Sequence, residues 1–376
     1  MCTAFLNETA IHGKGVILGK AQSAIYIHVD DTAAITSHST LAEARRQANS
    51  LMVESAEALV RSGFKVTDRR EAAPGQRIVG YVIEESPARL RAPALKALQI
   101  RGALLHMAQQ QHVNVDTLRA LLGVWLWLAL LRRELLSIPQ KVFSFIDRCQ
   151  GMTIAWWPTA RRETLAMAKA VLAFYADVGS PAAPTMMASD AMGADQTTDD
   201  VGGYGVAAAD VPLSVIHDVI GLGGRPGKAL QRDLMLAGRK RPDMPLIRTS
   251  PFTRLPPGLF DKSVTRWKVL CQGRWRWQEH ITIGELRAVL KLLLIIISCP
   301  GAHRHKVVTL QDNMAVAAIL AKGRSSAPVL NFLLRRRAAY TIFAELLLLA
   351  PWVESEKQPA DEASRDVGAL DGSEEA

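Results

Sequence analysis

The chain has 376 residues, 49 % of them hydrophobic, which is enough for two or three domains each with its own core. Lys and Arg outnumber Asp and Glu by 45 to 36, and the net charge of +9 points to a polyanionic partner, nucleic acid or an acidic surface. Cys2, Cys149, Cys271 and Cys299 lie far apart with no C-x-x-C spacing, which argues against a zinc site or a disulfide framework and for an intracellular compartment, nuclear or cytoplasmic.

The opening "MCTAFLNETAIHGKG" lacks the basic start and long apolar core of a signal peptide, so secretion is not expected. In residues 21–36, Ile25, Ile27 and Val29 alternate with Tyr26 and His28, then Asp30 and Asp31 stand side by side before a second apolar stretch; this predicts a hairpin. Adjacent carboxylates at a turn suit a solvated tip or the seat of a divalent cation, and these residues alone leave both open. A helix follows in "TLAEARRQANSLMVESAEALVRSG", with Met52, Ala56, Leu59 and Val60 at helical spacing and Gly63 as its stop. "FKVTDRREAAPGQRIVGYVIEE" holds two short strands around a Pro-Gly turn. Residues 87–150 read as mostly helical, with Asp116 as N-cap of "VDTLRALLGVWLWLALLRRELLSIP". The most apolar runs, 121–131 and 290–297, are too short to span a bilayer and read as buried helices, so no membrane partner is expected.

A second unit begins near 150. "PTMMASDAMGAD" and "GGYGVAAAD" predict paired strands, whereas 209–264 is rich in Pro, Gly and Arg without a steady period and reads as an insertion or long connection. Its "IGLGGRPGK" lacks the GxxxxGK[ST] pattern of a phosphate loop. "RWKVLCQGRWRWQEH" predicts a strand, or a hairpin turning at Gln272-Gly273; "TIGELRAVLKLLLIII" a helix; "HKVVTLQDN" a strand; "AVAAILAKG" a helix; and "APVLNFLLRRRAAYTIFAELLLLAPWVESE" a helix running into a strand. The expected class is α/β (α+β), a mixed sheet with flanking helices. The small, acidic stretch after 365 reads as disordered.

Four acids in this unit stand at the ends of elements: Asp190 after the strand "TMMAS", Glu285 in the first turn of an apolar helix, Asp312 at the end of "KVVTLQ", and Asp361 beyond "LLLLAPWVE". Taken singly they are caps or dipole-favoured acids. Taken together they are candidates to hold hard cations, Mg²⁺ above all. Two such ions about 4 Å apart activate a water and stabilise the leaving oxygen of a phosphodiester. Basic clusters at 238–242, 321–326 (with Arg324) and 333–340 (with Arg335, Arg336 and Arg337) are candidate phosphate contacts, or solvated helix faces. Trp156, Trp157, Trp275 and Trp277 suit base stacking or core packing. His303 and His305 flank Arg304 without a third metal ligand nearby.

Residues 184–365 resemble the ribonuclease H domain of retroelement polyproteins. The matching blocks are "MASDAMG…GGYGVAA", "ITIGELRAVLKLL", "VVTLQDNMAVAAILAKGRS" and "PWVESEKQPADEASR"; in the last, Gln358 stands where the pattern has Asn. No His near Asp361 matches the mobile His that many of these domains carry. "YIHVDD" resembles the reverse-transcriptase palm signature, with His28 where Tyr or Phe is usual. The whole is most similar to retrotransposons of the tyrosine-recombinase (DIRS-like) type. That resemblance implies a truncated palm at 1–86, a helical thumb or connection at 87–150, a linker at 151–183, a ribonuclease H-like domain at 184–365 and an acidic tail at 366–376. It implies catalytic Asp190, Glu285, Asp312 and Asp361 holding two Mg²⁺, with Mn²⁺ as the alternative ion, and RNA–DNA hybrid as substrate. Asp30 and Asp31 would be the remnant of a polymerase metal site. Only 29 residues precede Asp30 and hold no third carboxylate strand, so polymerase activity is expected to be lost. The alternative is a decayed module that binds nucleic acid without cutting it.

Overall fold

The computed structural model describes residues 23–28, 31–36, 38–67, 69–78, 80–85, 87–194, 201–223, 257–260 and 265–365. In chain order the elements of the first part are β1 (Ser23–His28), β2 (Asp31–Thr36), α1 (Leu41–Arg61), β3 (Arg77–Ile78), β4 (Tyr81–Glu85), β5 (Ala88–Arg91), α2 (Ala94–Gln109), β6 (His112–Asn114), α3 (Val115–Ala129), α4 (Gln140–Arg148), β7 (Thr153–Ala155), α5 (Pro158–Ala170) and β8 (Tyr175–Asp177). They continue with β9 (Thr185–Ala191), β10 (Gly203–Asp210), α6 (Leu213–Gly223), β11 (Lys268–Arg274), α7 (Ile281–Ile297), β12 (Lys306–Leu310), α8 (Met314–Lys322), α9 (Pro328–Phe343), β13 (Leu347–Leu349) and α10 (Asp361–Arg365). Among the described residues, no helix is long and apolar enough to cross a membrane.

The chain forms two compact units, one of residues up to Ala97 with Phe174–Gly179, the other of Leu98–Ala173 with the residues from Ser180 onward. In the first, β1 and β2 form the expected antiparallel hairpin, closed by His28 opposite Asp31. Asp30 lies outside the described residues, as does the side chain of Asp31. Helix α1 starts at Thr40, whose hydroxyl accepts the Glu43 N–H at 3.3 Å and donates to the Glu43 carboxylate at 2.9 Å, a reciprocal cap. Strands β3, β4, β5 and β8 form an antiparallel sheet in that order.

The second unit is built on a five-stranded mixed sheet ordered β11-β10-β9-β12-β13. The first three strands are antiparallel neighbours; β12 runs parallel to both β9 and β13. Because side chains alternate along a strand, Met186 and Met187 enter opposite cores. Met187, Val206 and Ala208 pack with Leu286, Val289 and Leu293 of α7 and Leu333 and Leu334 of α9. Met186, Ala188, Ala207 and Ala209 pack with Ile216 and Val219 of α6. Burial on both faces explains why these strands read as continuous apolar runs. The α/β class with a mixed sheet and flanking helices is the one expected.

Of the two readings of 266–280, a strand or a hairpin turning at Gln272-Gly273, the strand is found: β11 continues along β10 through both residues. A Cβ on Gly273 would sit 2.8 Å from the Tyr204 hydroxyl, so the glycine serves close packing and not a turn. Three other local readings are corrected. Part of the stretch read as a long connection is α6, whose Ile216 and Val219 supply a core face; 224–256 and 261–264 lie outside the described residues. Asn114, not Asp116, caps α3, its Oδ1 accepting the Thr117 N–H at 2.9 Å, while Asp116 sits in the first turn 3.7 Å from Arg119. Residues 151–183, read as a linker, hold β7, α5 and β8. The tail 366–376 and the 238–242 basic cluster lie outside the described residues.

Candidate metal centre

Strands β9 and β12 are parallel, so their C-terminal ends open on one edge. Their register pairs Thr309 with Met187 and Leu310 with Ala188; carried two residues further it sets Asp312 beside Asp190. Asp190 lies inside β9 rather than after it, on the face shared by Met186 and Ala188. Glu285 enters from α7, which begins at Ile281, so the acid sits in the second turn and not the first. The Ala191 N–H donates to its carboxylate. Asp312 follows β12 and Gln311, and the Trp352 indole N–H donates to its backbone carbonyl at 2.5 Å. One carboxylate oxygen from each of Asp190, Glu285 and Asp312 lies within 4.8 Å of the other two.

Helix α10 closes the site from the other side. It crosses β10 at Gly205, where a Cβ would come within 2.7 Å of the Ala360 carbonyl oxygen and 2.8 Å of the Ser364 nitrogen. Only glycine admits this approach, and through it the Ser364 hydroxyl reaches Asp190 Oδ2, donating at 2.5 Å. Asp361 opens α10 and pairs with Arg365 at 2.8 Å. It stands outside the three-acid group, yet its charge helps raise the pKa of both Asp190 and Glu285.

Burial pushes Asp190 up to about 7, reinforced by the charges of Asp312 and Asp361 and opposed by the Ser364 hydrogen bond. Glu285 is pushed up to about 9, again by burial first and then by Asp190 and Asp312. Glu285 Oε2 and Asp312 Oδ1 are buried with no hydrogen-bond partner. Like charges brought together with two oxygens unsatisfied cost free energy unless protons or a cation intervene. Converging hard oxygens fit a divalent ion of the Mg²⁺ or Mn²⁺ type.

The candidate cationic residues fare differently. Arg337 is buried, donating to the Leu320 carbonyl at 3.2 Å, so it is withdrawn from any surface role. Arg335 donates to the Ser137 and Ile138 carbonyls at 3.0 and 2.8 Å and to Glu163 at 2.5 Å, tying α9 to the start of α4. Arg336 and Arg324 are exposed, the first donating to the Tyr340 hydroxyl, the second 6.0 Å from the Phe143 ring centroid. Trp156 and Trp157 pack on Phe145, and the rings of His303 and His305 bond to backbone carbonyls.

Three residues support the carboxylates without having been named as site residues from sequence. Ser364 orients Asp190. The Gln311 amide donates to the Ser189 hydroxyl at 2.8 Å, and that of Gln358 to the Ser189 carbonyl at 3.2 Å. Ser364 and Gln358 both lie in the block "PWVESEKQPADEASR", where Gln358 is the departure from pattern; Gln311 carried only its place beside Asp312.

No family model and no curated protein matches the chain. Among solved structures it is similar to the foamy viral protease-reverse transcriptase in complex with RNA/DNA hybrid, at 10 % identity and a TM-score of 0.31 over 92 % of this chain and 58 % of that one. The same viral protein in complex with dsDNA gives 10 % and 0.31 over 88 % and 55 %, and its dRH form with ds DNA gives 11 % and 0.31 over 88 % and 46 %. The chain thus spans about half the length of the solved structures it matches.

Proposed function

We propose that the second unit is a metal-dependent nuclease of the ribonuclease H type, of retroelement origin, that hydrolyses the RNA strand of RNA–DNA hybrids. The observation that carries this reading is the convergence of Asp190, Glu285 and Asp312 with two buried oxygens unsatisfied. These three, with Asp361 as a fourth ligand, would hold two Mg²⁺ or Mn²⁺ ions. When bound, the ions would supply water activation and stabilisation of the leaving oxygen. The chain's own groups do the rest. Ser364 fixes the rotamer of Asp190, the Ala191 amide orients Glu285, and Trp352 anchors the backbone at Asp312. Arg365 holds Asp361. Exposed Arg324 and Arg336 would contribute salt-sensitive phosphate attraction, and contacts to 2′-hydroxyls would mark the RNA strand.

The test is a labelled hybrid incubated with purified protein and Mg²⁺ beside Asp312→Asn. Cutting by the parent alone supports the nuclease. Binding without cutting by either supports the second reading, a decayed module, and salt-insensitive or absent binding removes both.

A further inference from the structure

Trp277 lies between β11 and α7 with 53 % of its surface exposed. Its ring is nevertheless held. The indole hydrogen-bonds to the Glu279 carboxylate, which Arg287 grips through two bonds of 2.5 and 2.9 Å and holds below its ordinary pKa. Arg287 stands on α7, two residues beyond Glu285. The Arg276 guanidinium lies 6.0 Å from the Trp277 ring centroid. One residue earlier, Trp275 is anchored. Its backbone N–H donates to the Gly202 carbonyl at 3.0 Å, its ring packs on Tyr204 at 4.7 Å, and its indole nitrogen faces Gly284. The two tryptophans therefore divide, Trp275 packed against the fold and Trp277 presented outward.

Leaving a large aromatic face in water is unfavourable, and immobilising an exposed side chain adds an entropic cost. Both are accepted here one loop away from the carboxylate cluster. The surroundings supply the complementary charge: Arg274 ends β11, Arg276 lies in its continuation beside the Trp277 ring, and Lys291 stands 5.1 Å from the ring centroid of Tyr204, on which Trp275 packs. A flat apolar face beside cations matches a nucleobase and its phosphate.

We infer that Trp277 is the seat of an unpaired base on a single strand overhanging the hybrid, with Arg276 meeting the adjacent phosphate. The inference rests on the nucleic-acid reading of the acid centre and makes Trp277 a positioning residue. It is tested without catalysis, using the full chain in EDTA and fluorescein-labelled hybrids, blunt or with an overhang of about five nucleotides, read by anisotropy. Trp277→Ala should weaken overhang binding about tenfold and leave blunt hybrid unchanged, and Trp277→Phe should restore most of the loss. Equal affinity of Trp277→Ala and the parent for the overhang overturns the inference, as does an equal loss on blunt hybrid without rescue by Phe. Should Trp277→Ala not fold, quenching of tryptophan emission by the overhang decides: a quench undiminished in Trp277→Phe overturns the inference. Failure of the parent to cut hybrid with Mg²⁺ overturns hydrolysis and leaves this binding outcome standing on its own.

Discussion

Two clusters of buried charge lie in the same compact unit and follow opposite plans. Where the 3₁₀ segment Leu130–Ser137 meets α9, Arg132 donates to Glu134 at 2.7 Å and the Thr341 hydroxyl reaches the same carboxylate at 3.4 Å. Arg337, its pKa lowered by burial, is supported by the charge of Glu134. Here the signs are mixed. At the ends of β9 and β12, three carboxylates meet with a serine, an amide and each other for company. The first arrangement carries its own counter-charge and holds the helical segment to the sheet domain, although Arg132 Nη2 and Arg337 Nε are, like Glu285 Oε2 and Asp312 Oδ1, buried without a partner. The second gathers charge of one sign, and it is the sign, not the count of unpartnered atoms, that makes it the candidate site.

That contrast can be broken from either side. The largest effect is expected at Glu134: Glu134→Ala removes the one acid between Arg132 and Arg337 and should cost about 3–5 kcal/mol in urea unfolding, because two arginines are left buried without a counter-charge. Next comes Asp312→Asn, expected to lower hybrid cleavage by about 100-fold or more in a Mg²⁺ assay while leaving the fold intact. Glu285→Gln should move in the opposite direction to Glu134→Ala, stabilising metal-free protein by about 1–2 kcal/mol at pH 8, since Glu285, pushed up to about 9 by burial and its neighbours, must take up a proton on folding that a glutamine does not need. A loss of stability there would erase the distinction between the clusters.

The remaining effect is the pH dependence. Asp190 at about 7 and Glu285 at about 9 both lie above their free values of 3.8 and 4.5. The folded state therefore binds more protons than the unfolded chain in this window. The stabilisation is complete below about pH 4 and is lost as pH rises toward 9. The metal-free melting temperature should fall from this source as pH rises from 5 to 9, less steeply in Glu285→Gln. Saturating Mg²⁺ or Mn²⁺ should raise it at pH 8 and do little at pH 5.

Much of this was legible in the sequence because it depends on local periodicity. The alternating run to His28 gave the hairpin, and the apolar stretch from Ile281 gave α7 almost to the residue. The three acids could be singled out because strand ends and a helix start are visible locally, although Asp190 and Glu285 each sit a few residues from the place assigned. What was not legible depends on the partner across space. Nothing local distinguishes Arg337, buried against Leu320, from its exposed neighbour Arg336; the chain position of α9 on the 3₁₀ segment decides it. Strand and hairpin could not be told apart at Gln272-Gly273 because the ring of Tyr204, which demands the glycine, lies about 70 residues away in sequence.

The pairing of β9 with β12 is short, and no tight turn sets it. The side-chain amides of Gln311 and Gln358, both reaching Ser189, align the two strands instead. Insertions and deletions should therefore be tolerated very unevenly: the segment Ser298–His305 ahead of β12 can change length, whereas adding or removing one residue between Val308 and Asp312 would turn the aspartate toward the opposite core and dismantle the carboxylate cluster in one step.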